Sequence, residues 1–358
     1  KEVMFWDKRQ LIKKNNLNSL YGTLLNVGSR FFDIRMGQST TLGGRTIAKH
    51  MAAKLNESLT GEYNHKGDAI IYGDTDSAYF TAWPIFKEEI DKGELEWNKD
   101  KAIELYDAVC EQVNDSFPEF MRTMHGIDID HGKIIAAGRE VVAERGLFIK
   151  KKRYGLLVYD NEGERLDKEG KPGKLKAMGL DLKRSDTPEF MQEFLESLLK
   201  DVLQGSDEMH IRNRILEFRK AFKDRPGWEK GTPKRVNNLT KYTKQYNKTG
   251  KCGVGHVLAA INWNRLKKAY GDQYSMNIVD GMKTIVCRLR DNPMNVKSIG
   301  YPIDELHLPK WYKDLPFDHA HMESTIIDNK IENLIGILDW DLQATKQANT
   351  FSSLFEVV

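Results

Sequence analysis

The pattern of hydrophobic and polar positions is clearest at residues 69–80, where it predicts a β-hairpin. Two apolar runs rich in Ile, Tyr and Phe flank a Gly-Asp-Thr-Asp-Ser centre. β-Branched and aromatic residues favour strands, while Gly and Asp favour a tight reversal of the chain. The predicted turn therefore carries two carboxylates, those of Asp74 and Asp76, between two stiff strands.

Helical spacing predicts long helices before and after this hairpin. Residues 7–21 contain no Gly or Pro, and Asp7 can act as the N-cap. The apolar positions that predict its buried side are Leu17, Leu20 and Leu24. A second helix is expected at residues 46–56. A third is expected from about residue 101 to 114, and Pro118 should end it.

The second half of the chain is predicted to be mostly helical. Residues 186–189, Asp-Thr-Pro-Glu, are typical of a helix start because they combine a capping side chain, Pro in the first turn and an acid favoured by the helix dipole. Apolar stripes follow at Phe190, Phe194, Leu195 and Leu198, at Ile211, Ile215, Phe218 and Phe222, and at Ile327, Ile331, Leu334, Ile335 and Leu338 in a late helix, 323–342. Strands packed on such helices indicate an α+β fold.

Length and composition narrow the class of protein. A chain of 358 residues, 40% hydrophobic and 30% charged, should form two or three domains. Its net charge of +3 is too close to balance to indicate a nucleic-acid partner. Cys110, Cys252 and Cys287 lack metal-site spacing, so we expect buried thiols in a reducing compartment. With no membrane-length apolar run and no signal peptide, a cytoplasmic protein without membrane contact is expected. Because residue 1 is Lys, the chain is interpreted as a fragment, a processed piece or part of a longer chain.

Two segments carry a local excess of positive charge. Residues 230–251 contain seven basic residues and no acid, with Tyr242 and Tyr246 among them. This composition predicts a nucleic-acid surface, and a flexible solvated loop is the alternative. Residues 150–153, Lys-Lys-Lys-Arg, precede a strand and form either a solvated face or a contact with a phosphate backbone.

The hairpin turn is the first candidate for chemistry. Mg²⁺ prefers carboxylate oxygens and commonly shares them with substrate phosphates, so Asp74 and Asp76 suit metal-assisted phosphoryl chemistry. Asp is also an ordinary turn residue whose side chain bonds to the turn backbone. From these residues alone, a purely structural pair is the alternative.

The first predicted helix is the second candidate. Lys14, Asn18 and Tyr21 share one face at spacing i, i+4, i+7. A cation, an amide and an aromatic ring arranged in this way can contact a phosphate, hydrogen-bond a base or sugar, and stack on a base. The alternative is a solvated basic face with a half-buried Tyr.

Four motifs, taken in order, resemble signatures of family B DNA polymerases, most closely the replicative polymerases of tailed bacteriophages. They are Lys14-x-x-x-Asn18-Ser19-x-Tyr21-Gly22, Tyr72-Gly73-Asp74-Thr75-Asp76-Ser77, Lys151-Lys152-Arg153-Tyr154, and Leu175-Lys176-Ala177-Met178-Gly179-Leu180. The resemblance covers essentially the whole chain. It implies an α+β fold, the C-terminal half of a right-hand polymerase, with part of the fingers at 1–25, palm at 26–185, mostly helical thumb at 186–345 and a tail at 346–358. If the chain is phage-encoded, its location is the host cytoplasm.

The resemblance also implies roles for individual residues. Lys14 would contact the incoming deoxynucleoside triphosphate, and Asn18 and Tyr21 would line the pocket of the nascent base pair. Asp76 would bind the two catalytic Mg²⁺ ions, with Asp74 in support.

Further residues would surround this centre. By resemblance Glu140 lies near the metal ions, and a salt bridge with Arg139 is the alternative. The residues implied to grip the primer-template DNA are Lys151, Lys152, Arg153, Tyr154, Lys176 and Gly179.

The end of the sequence suggests a docking peptide. Residues 350–358 are apolar after a polar stretch. Phage polymerases of this type end in a similar Ser-Leu-Phe segment that binds the sliding clamp, which would make Leu354 and Phe355 clamp-binding residues. This tail lacks the aromatic residues that commonly end those versions, and a tail folded onto its own core is the alternative.

One expected motif is missing from the sequence. The family supplies a second metal-binding carboxylate from an Asp-x-x-Ser-Leu-Tyr-Pro motif, and Asp33 lies in the wrong order and context to replace it. We therefore predict one subunit of a split polymerase, whose partner chain carries that Asp, the proofreading exonuclease and the rest of the fingers. The alternatives are a noncatalytic DNA-binding or clamp-tethering subunit and a truncated fragment.

Overall fold

The computed structural model describes residues 2–342, apart from the side chain of Glu169, and confirms an α+β fold. Long helices accompany antiparallel strand pairs. The chain divides into two compact units, Lys1–Val142 and Ala143–Val358. This division differs from the functional boundaries predicted at residues 25, 185 and 345, which stay predictions.

The first unit consists of helices around one hairpin. Its helices are α1 (Glu2–Leu25), α2 (Ile34–Thr60), α3 (Lys87–Asp91), α4 (Lys99–His125) and α5 (Ile129–Gly132), and its strands are β1 (Ile70–Asp74) and β2 (Ser77–Phe80). Asp33 caps α2 by accepting a hydrogen bond from the Arg35 amide at 2.9 Å. The core residues are Leu55, Leu59, Ala69, Ala82, Val109, Val113 and Phe117. The hairpin and the helices predicted at 46–56 and 101–114 are confirmed, and both helices are longer than predicted.

Pro118 does not end α4, contrary to the expectation from the sequence. The helix continues to His125, where Gly126 ends it with a φ of 65°. Pro118 cannot donate a bond to the preceding turn. Its neighbours Phe117 and Met121 are buried, and we attribute the continuation to their packing, which outweighs the cost of about 3 kcal/mol for one interior Pro.

The second unit begins with a sheet and continues into a helical region. Its strands are β3 (Val141–Lys150, which starts at the boundary), β4 (Arg153–Asn161), β5 (Glu164–Arg165), β6 (Lys174–Met178), β7 (Thr232–Arg235), β8 (Lys283–Arg288) and β9 (Ser298–Pro302). Its helices are α6 (Glu189–Leu203), α7 (Glu208–Asp224), α8 (Leu239–Thr249), α9 (Gly255–Ala269), α10 (Lys310–Lys313), α11 (His319–Glu323) and α12 (Asn329–Ile335). Strand β4 lies between β3 and β6, and β8 lies between β7 and β9. The antiparallel register of β4 with β6 places Tyr154 opposite Met178.

The apolar stripes predicted in the helical region form its first core. The predicted residues buried there are Phe194, Leu195, Leu198, Ile211, Ile215, Phe222, Ile327, Ile331, Leu334 and Ile335. A second core surrounds Trp263 and Tyr312. Helix α6 begins at Glu189 as predicted, but its start has no side-chain cap. Asp186 pairs instead with Arg184 and Lys234.

The late helix predicted at 323–342 is interrupted. A π-helical turn, Ser324–Asp328, joins α11 to α12, and regular helix ends at Ile335. This wide turn places Asp328 against Arg219 of α7, which also donates to Glu323 at 3.0 Å. An ion triad with a buried Arg219 and two half-buried carboxylates therefore ties α7 to the interrupted helix.

Candidate catalytic and DNA-binding surfaces

The hairpin turn presents the carboxylate of Asp76 to solvent. Asp74 lies opposite Ser77, and Thr75 takes a φ of 55°. The Asp76 amide donates to the Asp74 carbonyl at 2.7 Å, and the Ser77 hydroxyl donates to the same oxygen at 3.1 Å. Within the described residues, the Asp76 side chain has no hydrogen bond or ion pair, so the turn is held without it. Ordinary turn bonding therefore does not involve the Asp76 side chain, and its functional role stays a prediction.

The two strands hold this turn firmly. Tyr72 pairs with Tyr79 across the hairpin, and their rings stack with centroids 6.0 Å apart. Aromatic cross-strand pairs stabilise a hairpin and fix its register. Asp74 is half-buried, and its carboxylate accepts from the Thr75 hydroxyl at 3.3 Å. The two carboxylates thus differ, one packed against the turn and the other directed outward.

Helix α1 corrects part of the sequence interpretation. It begins at Glu2, so Asp7 is an interior residue and not the N-cap. Leu17 and Leu20, predicted to be buried, are 71% and 61% exposed. Within residues 2–342, no residue of α1 is buried, because the helix meets α2 only near its C-terminal end, where Leu25 packs against Gly37. The prediction failed because helical spacing identifies an apolar face and not what covers it.

The predicted nucleotide-binding residues lie together on α1. Lys14 and Asn18 are exposed, and Tyr21 is half-buried. In the described part of the chain, no hydrogen bond or ion pair joins any of them to Asp76. The structure thus groups these three side chains with one another, and their relation to the hairpin carboxylates stays a prediction.

The carboxylates of the hairpin are ligands of the type that Mg²⁺ prefers, but there are too few of them. Asp74 and Asp76 supply the hard carboxylate oxygens that this ion prefers. Across residues 2–342, however, no group of three or more His, Cys, Asp or Glu side chains could hold a metal ion. Arg139 pairs with Asp107, with its side chain only 11% exposed, and the next residue, Glu140, is exposed. The metal role of Glu140 stays a prediction.

In the second unit, a two-residue turn between β3 and β4 exposes Lys151 and Lys152. Lys152 takes a φ of 62°. The next two residues face inward: the Arg153 side chain is 20% exposed and donates to the Asn333 carbonyl at 3.3 Å, and Tyr154 is buried and stacks on Phe148. Arg153 and Tyr154 therefore fix the turn that carries the two exposed lysines. Their own contacts with DNA stay predictions.

The segment after this turn packs against it. Gly179 takes a φ of 62°, and a Cβ atom there would overlap the carbonyl oxygen of Lys152. Only glycine allows this approach without strain. Lys176 is half-buried on β6 opposite Leu156. The structure thus brings the two predicted DNA-binding segments together.

The basic segment 230–251 is regular structure and not a flexible loop. It contains β7 and α8, and Lys241, Lys244 and Lys248 are exposed on α8. Lys230 is an exception to the predicted surface, because it is 1% exposed. Its ammonium donates to the Lys223 carbonyl at 2.9 Å and lies 2.8 Å from Nδ1 of His319. Burial lowers the pKa of Lys230, so this residue belongs to the core.

A groove near this segment contains cations that the sequence did not reveal. Its volume is about 540 Å³, and its charged and histidine residues are Asp186, Lys234, His256, Arg288, His321 and Lys330. The first turn of α9, at Gly255, lines the same groove and has no side-chain cap. Because unpaired N–H groups at a helix start favour anions, the groove suits a phosphate backbone. Its cations come from distant segments, so no local motif marks them.

Electrostatics within the groove favour an anionic partner. The Lys234 ammonium lies 3.0 Å from the Asp186 carboxylate, whose pKa is held well below its usual range by a hydrogen bond from Arg184 and by Lys234. Burial, followed by the charge of Lys234, lowers the pKa of His256. Arg288 is exposed. Of the three cations that line the groove, Lys234 pairs with Asp186, Lys330 pairs with Asp181, and Arg288 is exposed.

Comparison with known proteins shows what the chain is similar to. Residues 1–90 match the model of DNA polymerase family B. The chain is 30% identical, over 84% of its length, to the DNA-directed DNA polymerase of Enterobacteria phage T4, and 29% identical, over 82%, to that of Escherichia phage RB69. It is also 25% identical, over 83% of its length, to the DNA polymerase alpha catalytic subunit of Trypanosoma brucei brucei. Over most of its length the chain is therefore similar to DNA polymerases of family B.

The chain spans about a third of the length of the two phage relatives. The family match contains the predicted residues Lys14, Asn18, Tyr21, Asp74 and Asp76, while Glu140 lies outside it. No helix within residues 2–342 is long and apolar enough to span a membrane. The predicted clamp-binding residues Leu354 and Phe355 lie outside the described residues.

Proposed function

We propose that this chain forms the palm and thumb of a replicative DNA-directed DNA polymerase, with Asp76 as its metal-binding carboxylate. The observation that carries the proposal is that the Asp76 side chain is exposed and makes no hydrogen bond or ion pair to any of residues 2–342, on a turn fixed by other groups. A structural Asp would bond to its own turn. The match of residues 1–90 to the polymerase family supports the same role.

The reaction is transfer of a deoxynucleotide to a primer 3′-OH. The hydroxyl oxygen forms a bond to the α-phosphorus of the triphosphate, the bond to the β-phosphate breaks, and pyrophosphate leaves. Lys14 stabilises negative charge on the leaving phosphates, and Asn18 and Tyr21 hold the nascent base pair. Since such transfer needs positioning and electrostatic stabilisation more than covalent catalysis, these side chains suit the task.

Asp74 and Asp76 would hold the two Mg²⁺ ions, which supply charge stabilisation at the reacting phosphate. Two carboxylates are too few for this centre. We propose that a third comes from sequence beyond these 358 residues, in the separate polypeptide predicted from the missing motif. The exposed apolar side chains of α1 support such a partner; the largest are Met4, Phe5, Trp6, Leu11, Ile12, Leu17 and Leu20.

The groove lined by Lys234, Arg288 and Lys330, which we call the thumb groove, would bind the phosphate backbone of primer-template DNA. Its cations can neutralise phosphates of any sequence, which is the kind of contact that a polymerase needs. The exposed turn lysines Lys151 and Lys152 would grip the same duplex. Clamp binding by Leu354 and Phe355 stays a prediction from the sequence.

Primer extension tests the catalytic proposal. The chain alone, a polypeptide carrying the exonuclease and the Asp-x-x-Ser-Leu-Tyr-Pro motif, and their mixture are each given primer-template DNA, deoxynucleotides and Mg²⁺. We expect synthesis only from the mixture. Synthesis by the chain alone would refute the shared site. DNA binding without synthesis by the mixture would favour the noncatalytic DNA-binding subunit.

Arg288→Gln tests the groove. Because one phosphate contact is lost, we expect the dissociation constant for a primer-template to rise about threefold or more and the slope of log Kd against log salt to fall by about 0.9. Anisotropy titrations at several salt concentrations measure both. Lys310→Gln removes an exposed cation outside the groove and serves as the control. Equal effects of the two substitutions would contradict a specific role for the groove.

A further inference from the structure

Asp181 connects three segments of the second unit that are distant in sequence. It lies in a short 3₁₀ turn, Asp181–Lys183, just after β6 and Gly179, and is 7% exposed. One carboxylate oxygen accepts from the Lys330 ammonium at 2.9 Å, and the other accepts from the Asn333 amide at 3.1 Å. Both donors belong to α12. A nearly buried carboxylate is thus satisfied from another element, as burial of a charge requires.

The same carboxylate also reaches the basic turn. The Arg153 guanidinium lies 3.9 Å from it and donates to the Asn333 carbonyl at 3.3 Å. Arg153 directly follows Lys151 and Lys152. One side chain therefore anchors the start of β4 to α12, with Asp181 between them.

Both ends of this connection are surfaces that would meet DNA. Lys330 and Asn333 line the thumb groove while they bond to Asp181. Lys151 and Lys152 stand exposed on the turn that Arg153 anchors. A duplex is rigid over this range, with a persistence length of about 150 base pairs. Two surfaces can therefore grip its phosphates together only if their separation is fixed.

We propose that Asp181 is a positioning residue that fixes the basic turn relative to the thumb groove, so that both contact one duplex. The inference rests on the proposed function, because it presupposes that the two surfaces bind DNA. Asp181 itself need not touch DNA. Its acidic charge beside Lys330 would by itself weaken phosphate binding, and its benefit lies in geometry.

The charge of Asp181 and its positioning role predict opposite changes in DNA affinity, so one substitution can distinguish them. Asp181→Asn removes one negative charge and keeps the side-chain shape. If Asp181 acted only through its charge, the substitution would tighten DNA binding and steepen the salt dependence. If Asp181 positions the two surfaces, binding weakens and the salt dependence becomes shallower, because fewer phosphates are contacted at once.

We expect Asp181→Asn in the full chain to raise Kd for a 20-base-pair primer-template about fivefold or more and to lower the salt slope by about 0.9 or more. Asn333→Ala breaks the same connection without changing charge, and we expect a smaller shift in the same direction. Asn333 is exposed, so this variant should fold. Glu196→Gln is the control, because Glu196 pairs with Lys183 of the same 3₁₀ turn and with Lys200.

The outcomes separate this inference from the function on which it rests. Failure of the unmodified chain to bind the duplex would overturn the proposed DNA-binding function. If the unmodified chain binds, unchanged or tighter binding by Asp181→Asn overturns the positioning role alone, as does an equal loss in Glu196→Gln. Circular dichroism melting identifies loss of fold, and in that case Asn333→Ala decides: a binding constant and salt slope equal to those of the unmodified chain would refute the proposal.

Discussion

Asp76→Asn should abolish templated synthesis by the mixture of this chain and the proposed partner polypeptide. The substitution keeps the shape of the side chain but removes the charge that would bind Mg²⁺. Metal ions supply several kcal/mol of charge stabilisation in phosphoryl transfer, and each factor of ten in rate corresponds to about 1.4 kcal/mol, so we expect a loss of about a thousandfold or more. Single-turnover addition of one nucleotide to a preformed DNA complex measures it.

The controls for this prediction come from the same unit. Asp74→Asn should lose less activity, because Asp74 is half-buried and bonded within the turn. Asp68→Asn changes an exposed carboxylate just before β1 and should retain full activity. DNA affinity should be unchanged in all three variants. If Asp76→Asn retains synthesis, Asp76 is a turn residue and the catalytic proposal fails.

Arg219→Ala should strongly destabilise the second unit. The Arg219 side chain is 4% exposed and pairs with Glu323 and Asp328, which are 19% and 20% exposed. Removal of the buried guanidinium takes away the cation that the two carboxylates share and costs about 3–5 kcal/mol. The free energy of unfolding, measured by urea denaturation, should fall by about that amount.

Two further variants distinguish the ion triad from packing. Lys220 follows Arg219 on α7 and is exposed, so Lys220→Ala should change the unfolding free energy by less than about 0.5 kcal/mol. Replacement of Arg219, Glu323 and Asp328 together by apolar residues of similar size should recover most of the loss, since no charge then stays buried alone. A triple variant as unstable as Arg219→Ala would show that packing, and not charge, is responsible.

The features that the sequence predicted well are those set by neighbouring residues. The hairpin at 69–80 follows from β-formers around a Gly-Asp turn, and the stripes of α6 and α7 follow from helical spacing. The sequence did not predict that the Asp76 side chain would be exposed and make no hydrogen bond within residues 2–342, because turn Asp residues commonly bond to their own backbone. Its family motif predicted the position, and the structure supplied the geometry.

The features that the sequence missed depend on contacts between distant segments. Lys230 appeared to belong to a basic surface, yet its partners Lys223 and His319 bury it. Arg288 and Lys330 meet in one groove although 42 positions separate them in the printed sequence. Leu17 and Leu20 of α1 are the opposite case, where an apolar pattern has no covering element within residues 2–342. A periodic apolar pattern indicates that a helix face favours burial. Whether that face is buried depends on the elements that pack against it.

The π-helical turn at Ser324–Asp328 directs side chains that are close in sequence to different partners. An ordinary α-helix advances about 100° per residue, so a turn with one extra residue rotates everything that follows it. Asp328 consequently turns inward to Arg219, while Lys330 and Asn333, only a few positions later, reach Asp181 at the groove. Deleting one residue here would rotate α12 by about a quarter turn or more. The side chains that stabilise the fold and those that would contact DNA would then lie on the same face.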